Sequence, residues 1–172
     1  MFLNHIKDFF VKKTLKNRLH NVKISADSKR IETVGLIVDE SYFLQKNDLI
    51  TELVANGILE KNIKIIVYRD KVKKSESYSQ PTFGAKQLNW KGNITDLAVQ
   101  NFTNEKFDLL ISYYDIEKAI LMLITHNSKA QFKVGFSSID KRLNHLMINT
   151  NAENYKVFTH ELFRYLKILN KI

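Results

Sequence analysis

The chain has 172 residues, 44% of them hydrophobic, and its 27 lysines and arginines outnumber 18 aspartates and glutamates, giving a formal charge of +9. This length suits one domain whose core needs no disulfide or metal, and the absence of cysteine excludes disulfide frameworks, cysteine zinc sites and thiol catalysis. The longest uncharged stretch, residues 119–128, is too short to span a bilayer. The first residues do not resemble a signal peptide, so we expect a cytoplasmic protein.

The first predicted element is a basic helix over residues 2–23, which contain no glycine or proline. Residues 1–30 carry eight lysines and arginines against two aspartates, a charge of +6 that leaves +3 for the rest of the chain. Such a basic end favours an anionic partner, and the alternative is a solvated helix face. The residues predicted to bind this partner are Lys12, Lys13, Lys16, Arg18 and Lys23.

The apolar residues of this helix do not form one continuous stripe. Phe2, Ile6, Phe9 and Phe10 share one face, whereas Leu15, Leu19 and Val22 fall on nearly the opposite face. Either the helix breaks near Thr14, or its two halves contact different partners. In the simplest alternative, both halves pack on the rest of the domain.

A polar segment, residues 25–32, follows the helix. We therefore divide the chain into a basic helix with its linker, residues 1–30, and a single α/β domain, residues 31–172. That domain begins with a predicted buried strand at residues 34–38, a helix that ends at Gly57, and a second strand at residues 63–68. Together these elements predict a βαβ unit.

Residues 69–93 are the least regular part of the chain and include its only proline. A connection this long in a compact domain is usually functional or mobile. Its aromatic residues are interleaved with lysines, as on surfaces that bind single-stranded nucleic acids, and the candidates are Phe83, Trp90 and Lys91. The alternative, which we favour, is that Phe83 and Trp90 pack as a cover over a sheet edge.

The chain is organised around residues 107–136, which predict a strand, a helix and another strand. Apolar residues predict strands over residues 107–112 and 131–136. Asp115 is placed to cap the intervening helix, and Asn127 and Ser128 are placed to end it. We also predict a short helix at residues 94–101, a fifth strand at residues 145–149 and a closing amphipathic helix over residues 155–169.

Strands that alternate with helices predict a Rossmann-like α/β fold, with a mostly parallel sheet of four or five strands and helices on both faces. Ligands of such sheets bind beyond the carboxyl ends of the strands. The crevice candidates at those ends are Asp39, Tyr113, Asp115 and Ser137. Aspartates at positions 39, 70 and 115 indicate a cation or a hydroxyl-rich ligand, although each also has an ordinary role in a turn, loop or cap.

Motifs for catalysis and cofactor binding are missing from the sequence. No GxGxxG or GxxxxGKS/T motif follows a strand, which argues against a nucleotide site of either usual kind. No two histidines have i,i+4 spacing, and no GxSxG motif occurs. We therefore predict no metal, no cofactor and no catalytic residue.

Four segments resemble an uncharacterised family of small bacterial α/β proteins: WKGNI at residues 90–94, FDLLISYY at 107–114, SKAQFKVG at 128–135 and the terminal LKILNKI. The resemblance implies the fold and no activity. FDLLIS and AQFKVGF also resemble the amino-terminal half of heptosyltransferase-like glycosyltransferases. That resemblance implies one Rossmann-like half, whereas in those enzymes the sugar nucleotide is held mainly by the other half.

These observations lead to a non-catalytic binding protein whose basic helix engages an anionic partner. RNA or a ribonucleoprotein is the first expectation. One alternative is a small enzyme or ligand-binding protein that uses the crevice at the strand ends. Another is an adaptor at an anionic membrane surface, held by Phe2, Ile6, Phe9 and Phe10. The sequence does not indicate an oligomeric state.

Overall fold

A computed structural model describes residues 2–22, 30–73 and 75–172. Over these ranges the helices are α1 Phe2–Arg18, α2 Lys46–Ala55, α3 Leu97–Asn104, α4 Ala119–Asn127 and α5 Tyr155–Ile168. The strands are β1 Val34–Asp39, β2 Ile63–Tyr68, β3 Thr82–Phe83, β4 Leu109–Tyr113, β5 Phe132–Phe136 and β6 Leu146–Ile148. None of the described helices combines the length and the apolar character needed to cross a membrane.

The six strands form one parallel sheet in the order β3-β2-β1-β4-β5-β6. The predicted α/β fold with a mostly parallel sheet is therefore confirmed, as are the five predicted strands. The sequence did not predict β3, which has two residues and pairs with the end of β2.

The sheet lies between two layers of helices. On one side α2 packs against α5, and on the other α4 packs against both α1 and α3. Because the chain moves in opposite directions along the sheet from β1 to β2 and from β4 to β5, the general preference for right-handed crossovers predicts these two groups on opposite faces. All residues of β1, β4 and β5 are buried. A central strand covered on both faces has to be apolar on both faces, which explains the apolar runs in the sequence.

The N-terminal helix is continuous and docks on α4. Val11 and Leu15 are buried against the domain, and so is Leu19, which follows the helix. The helix does not break near Thr14, which was one of the alternatives left open by its apolar pattern. Phe9 and Phe10 are 58% and 56% exposed.

The amino end of α4 is capped by α1 rather than by its own sequence. Asp8 Oδ1 accepts a hydrogen bond of 2.7 Å from the N–H of Ala119, the first residue of α4. The predicted cap, Asp115, instead accepts a hydrogen bond from the N–H of Ala152. A carboxylate stabilises a helix amino terminus whichever part of the chain supplies it, so Asp8 fixes α1 on the body.

Lys133 of β5 is buried and caps the other end of α4. Its Nζ donates to the carbonyls of Thr125 and His126 over 2.7 and 3.1 Å. Loss of hydration in this interior position lowers the pKa of Lys133 to about 8. These two carbonyls belong to the last turn of α4, where the helix dipole favours a cation.

We expect the stability of the protein to rise with pH relative to a Lys133→Met variant. The folded pKa lies below the unfolded value, so the unfolded chain binds more protons between these two pKa values, and the penalty of burying the ammonium is relieved as pH rises. Between about pH 7.5 and 9.5 the gain should approach about 2 kcal/mol, since one pKa unit corresponds to about 1.4 kcal/mol. Urea unfolding of both proteins across this pH range measures the difference in their stability. If the two stabilities change with pH in parallel, the prediction is wrong.

Candidate functional site

A crevice lies at the carboxyl ends of β1, β2 and β4, beside α1. The sheet order changes direction between β1 and β4, and such switch points are where open α/β sheets bind ligands. This strand-end crevice encloses about 410 Å³, which suits a small molecule. Its lining residues are Asn4, His5, Asp8, Tyr42, Tyr68, Asp70, Lys71, Ala85, Glu117 and Lys118.

Lys118 organises the charges of the strand-end crevice. Its ammonium lies 2.7 Å from Asp39 Oδ2 and 2.9 Å from Asp70 Oδ1. It also lies over the rings of Tyr42 and Tyr68, 4.9 and 4.4 Å from their centroids. Burial and the neighbouring Asp70 raise the pKa of Tyr68, whose hydroxyl donates to Asp70. The two aspartates are therefore held by an internal cation.

The other predicted crevice residues, Tyr113, Asp115 and Ser137, do not line this cavity. Tyr113 is fully buried and its hydroxyl donates to the carbonyl of Ala152 over 2.7 Å. Asp115 accepts from the N–H of the same Ala152. Ser137 is exposed, and its hydroxyl donates to Asn149 Oδ1. The structure thus joins Asp39 and Asp70 through Lys118, whereas Tyr113, Asp115 and Ser137 form hydrogen bonds with other parts of the chain.

The basic residues of α1 fall into two groups. Lys16 forms an ion pair of 2.6 Å with Glu117, and Lys12 lies 3.7 Å from Asp8 while donating to the carbonyl of Glu117. Lys13 and Arg18 are exposed and have no ion pair with any residue that the structure describes. The fifth predicted residue, Lys23, lies outside the described residues. The positive charge that α1 offers to a partner therefore comes from Lys13 and Arg18.

A tight hairpin presents Trp90 next to α1. Asn89 and Asn93 close it, with the Asn89 N–H donating to the Asn93 carbonyl, and Asn89 Oδ1 accepts from the N–H groups of Lys91 and Asn93. Gly92 has φ of +80°, a conformation that side chains disfavour. A Cβ at Gly92 would lie 3.7 Å from Val11 Cγ1, so the turn packs on α1. The hairpin holds the Trp90 backbone in place while 58% of the residue is exposed.

The hairpin, α1 and the carboxyl end of α4 enclose a second cavity of about 310 Å³, which we call the aromatic groove. Its lining residues are Phe10, Val11, Thr14, Leu15, Arg18, Trp90, Lys91, Gly92, Asn93, Leu123, His126 and Asn127. No acidic side chain is among these described residues. The groove therefore combines exposed aromatic rings with positive charge.

Two further observations concern the charge of the aromatic groove and the other aromatic candidate. Burial and the neighbouring Lys133 lower the pKa of His126, which favours its neutral form, so Arg18 and Lys91 supply the positive charge. Phe83, the other aromatic loop candidate, is completely buried in β3 and cannot contact a partner. The interpretation as a cover over the sheet edge thus holds for Phe83 but not for Trp90.

Sequence reasoning did not single out Phe10 and Arg18 as neighbours of Trp90, because 72 residues separate Arg18 from Trp90 along the chain. It also missed Lys118, whose only signal was its position just before an apolar helix. Within the described ranges, no three histidine, aspartate or glutamate side chains come together as ligands for a metal ion.

Comparisons with known proteins complete this description. A protein-family model, described as a family of unknown function, matches residues 7–169, from α1 to the end of α5. No curated protein matches the chain, and neither does any solved structure. The resemblance to heptosyltransferase-like enzymes is therefore not supported by these comparisons.

Proposed function

The chain belongs to DUF6913, a family of unknown function, and we propose that it binds single-stranded RNA in the aromatic groove. One observation carries this proposal: Trp90 and Phe10, each more than half exposed, line the same groove as Arg18 and Lys91. Large aromatic side chains that lie together and exposed on a protein surface usually mark a binding site.

The chemistry of the groove suits a nucleotide chain. Proteins bind single strands by stacking bases on aromatic rings and by following the phosphates with basic side chains. Trp90 and Phe10 supply the rings, and Arg18 and Lys91 supply the cations. A duplex hides the faces of its bases inside the stack, so exposed rings favour a single strand.

The main test is binding of a fluorescently labelled single-stranded RNA of about a dozen nucleotides, measured by anisotropy. We expect Trp90→Ala to weaken binding about tenfold or more, because one stacked base is worth roughly 1–3 kcal/mol. Trp90→Phe should recover most of the affinity, since it restores a ring. These surface substitutions leave the buried residues of α1 intact, whereas deletion of α1 would uncover the face of α4.

Charge is tested separately from stacking. Arg18→Gln combined with Lys91→Gln should weaken binding and reduce the slope of log affinity against log salt by roughly 0.7 for each lost phosphate contact. The matched control is Lys156→Gln with Lys167→Gln, which removes the same charge from exposed positions on α5, across the sheet. The control should keep nearly wild-type affinity.

Three results would contradict the proposal. They are no binding of RNA by the wild type even at low salt, binding by Trp90→Ala as strong as that of the wild type, and a loss of affinity in the α5 control as large as that in the groove variant. Anionic vesicles distinguish the membrane alternative: vesicle binding without RNA binding, lost in a Phe9→Ser and Phe10→Ser variant, would favour a lipid partner.

A further inference from the structure

A third cavity, of about 390 Å³, adjoins the aromatic groove and shares Asn93 and Asn127 with it. We call it the amide pocket, because four of its six lining residues carry side-chain amides. The lining residues are Asn93, Ile94, Gln100, Thr103, Asn104 and Asn127. No charged side chain is among them.

Most of the amides in the pocket are available for a ligand. The side chains of Asn93, Asn104 and Asn127 are exposed and make no hydrogen bond with any residue in the described part of the chain. The Gln100 amide nitrogen donates to the Ile94 carbonyl over 2.6 Å, which leaves its oxygen available. The pocket therefore offers several donors and acceptors without charge.

The backbone contributes partial charge to the amide pocket. Asn104 is the last residue of α3 and Asn127 the last residue of α4, so two helices end at this pocket. The carboxyl end of a helix carries partial negative charge on its carbonyls. At the end of α4 the Lys133 ammonium already binds the carbonyls of Thr125 and His126. The partial negative charge at this pocket therefore comes from the end of α3, where it favours an amino group over a phosphate.

We infer that the amide pocket reads the edge of one base, with preference for adenine, while the neighbouring aromatic groove holds the stacked bases and phosphates. This inference rests on the proposed function. Asparagine and glutamine amides pair in a bidentate manner with N6 and N7 of adenine, donating to N7 and accepting from the amino group. Recognition of guanine in this way usually uses arginine or lysine, and the pocket has neither.

The test compares three single-stranded oligonucleotides of equal length at one salt concentration: all uridine, uridine with one central adenine, and uridine with 7-deazaadenine at the same position. We expect the adenine to strengthen binding about tenfold, because a good bidentate contact is worth roughly 1–3 kcal/mol. The 7-deaza analogue stacks in a similar way but lacks the N7 acceptor, so most of the gain should be lost.

Asn104→Ala should remove most of the preference for adenine and leave the affinity for oligouridine within about twofold, because Asn104 lines the amide pocket and not the aromatic groove. Asn104 is exposed, so we expect thermal unfolding close to that of the wild type. The matched control is Asn101→Ala, an exposed position on the same helix that does not line the pocket, and it should keep the preference.

The outcomes of these binding experiments distinguish the base-reading inference from the RNA-binding proposal. Equal binding of the three oligonucleotides, or an adenine preference that survives in the Asn104→Ala variant, overturns the base-reading inference while the RNA-binding proposal stands. Absence of binding to every oligonucleotide at low salt overturns both. A preference for adenine that N7 deletion and the asparagine variant both remove supports the inference.

Discussion

Ile111→Asp is expected to abolish cooperative folding. Ile111 lies in β4 with zero exposure, paired with Leu36 of β1 on one side and Val134 of β5 on the other. An aspartate there would bury a charge among apolar neighbours, and an uncompensated buried charge costs several kcal/mol. The whole stability of a domain is typically about 5–15 kcal/mol, so this one change should remove most of it. Circular dichroism with urea titration measures the loss.

An aspartate at position 111 tests the burial of β4 more clearly than an aspartate at the neighbouring position 110 would. Leu110 pairs in register with Lys133 of β5, so an aspartate there would have an ammonium on the neighbouring strand. The matched control is Leu97→Asp, which is 69% exposed at the first residue of α3. There an acid faces solvent and the favourable end of the helix dipole. If Ile111→Asp unfolds cooperatively with a urea midpoint near that of Leu97→Asp, the assignment of β4 as the central strand is wrong.

The sequence predicted the central strands because their environment leaves little choice of residue. A parallel strand between two helical layers is apolar on both faces, and the runs in β1 and β4 reflect that burial. Strand β3 lacks such a signal, since its two residues form a strand only because the end of β2 offers them a partner. Its existence depends on tertiary structure, which local sequence does not encode.

The buried stripe of α1 extends further toward the amino terminus than its apolar residues indicate. Lys7 is only 6% exposed, and its Nζ donates to the carbonyl of Ala85 over 2.9 Å. With Lys7 counted as a buried residue, positions 7, 11, 15 and 19 form one continuous stripe at four-residue spacing. A lysine can bury its aliphatic stem when its ammonium finds a hydrogen-bond acceptor, and no helical pattern reveals such an acceptor 78 residues away.

The candidate surfaces were predictable only in part. The charge of α1 and the exposed Trp90 hairpin each carry a sequence signal, but their adjacency depends on how α1 docks on α4. Similarly, the aspartates at the ends of β1 and β2 were visible in sequence, whereas their common partner Lys118 was not. Local sequence identifies chemical groups, and the strand order decides which of them meet.

Lys118→Met is expected to destabilise the protein by about 3–5 kcal/mol, the usual cost of removing one partner of a buried ion pair. The side chains of Lys118 and Asp39 are 13% and 6% exposed, so the substitution leaves the Asp39 carboxylate without its cation in a largely buried position. Asp70 should contribute less, because its side chain is 45% exposed. Methionine keeps the apolar stem against Tyr42 and Tyr68. Urea unfolding at neutral pH measures the effect.

A second substitution tests whether the unpaired charge of Asp39 causes the loss of stability. Lys118→Met combined with Asp39→Asn should recover most of the lost stability, because asparagine removes the charge and its amide oxygen can still accept from the N–H of Ser41, as Asp39 Oδ1 does over 2.9 Å. The control, Lys64→Met, breaks an exposed pair with Glu105, whose side chains are 62% and 37% exposed, and should cost at most about 1 kcal/mol. Equal losses in Lys118→Met and Lys64→Met would mean that the crevice pair is screened by water.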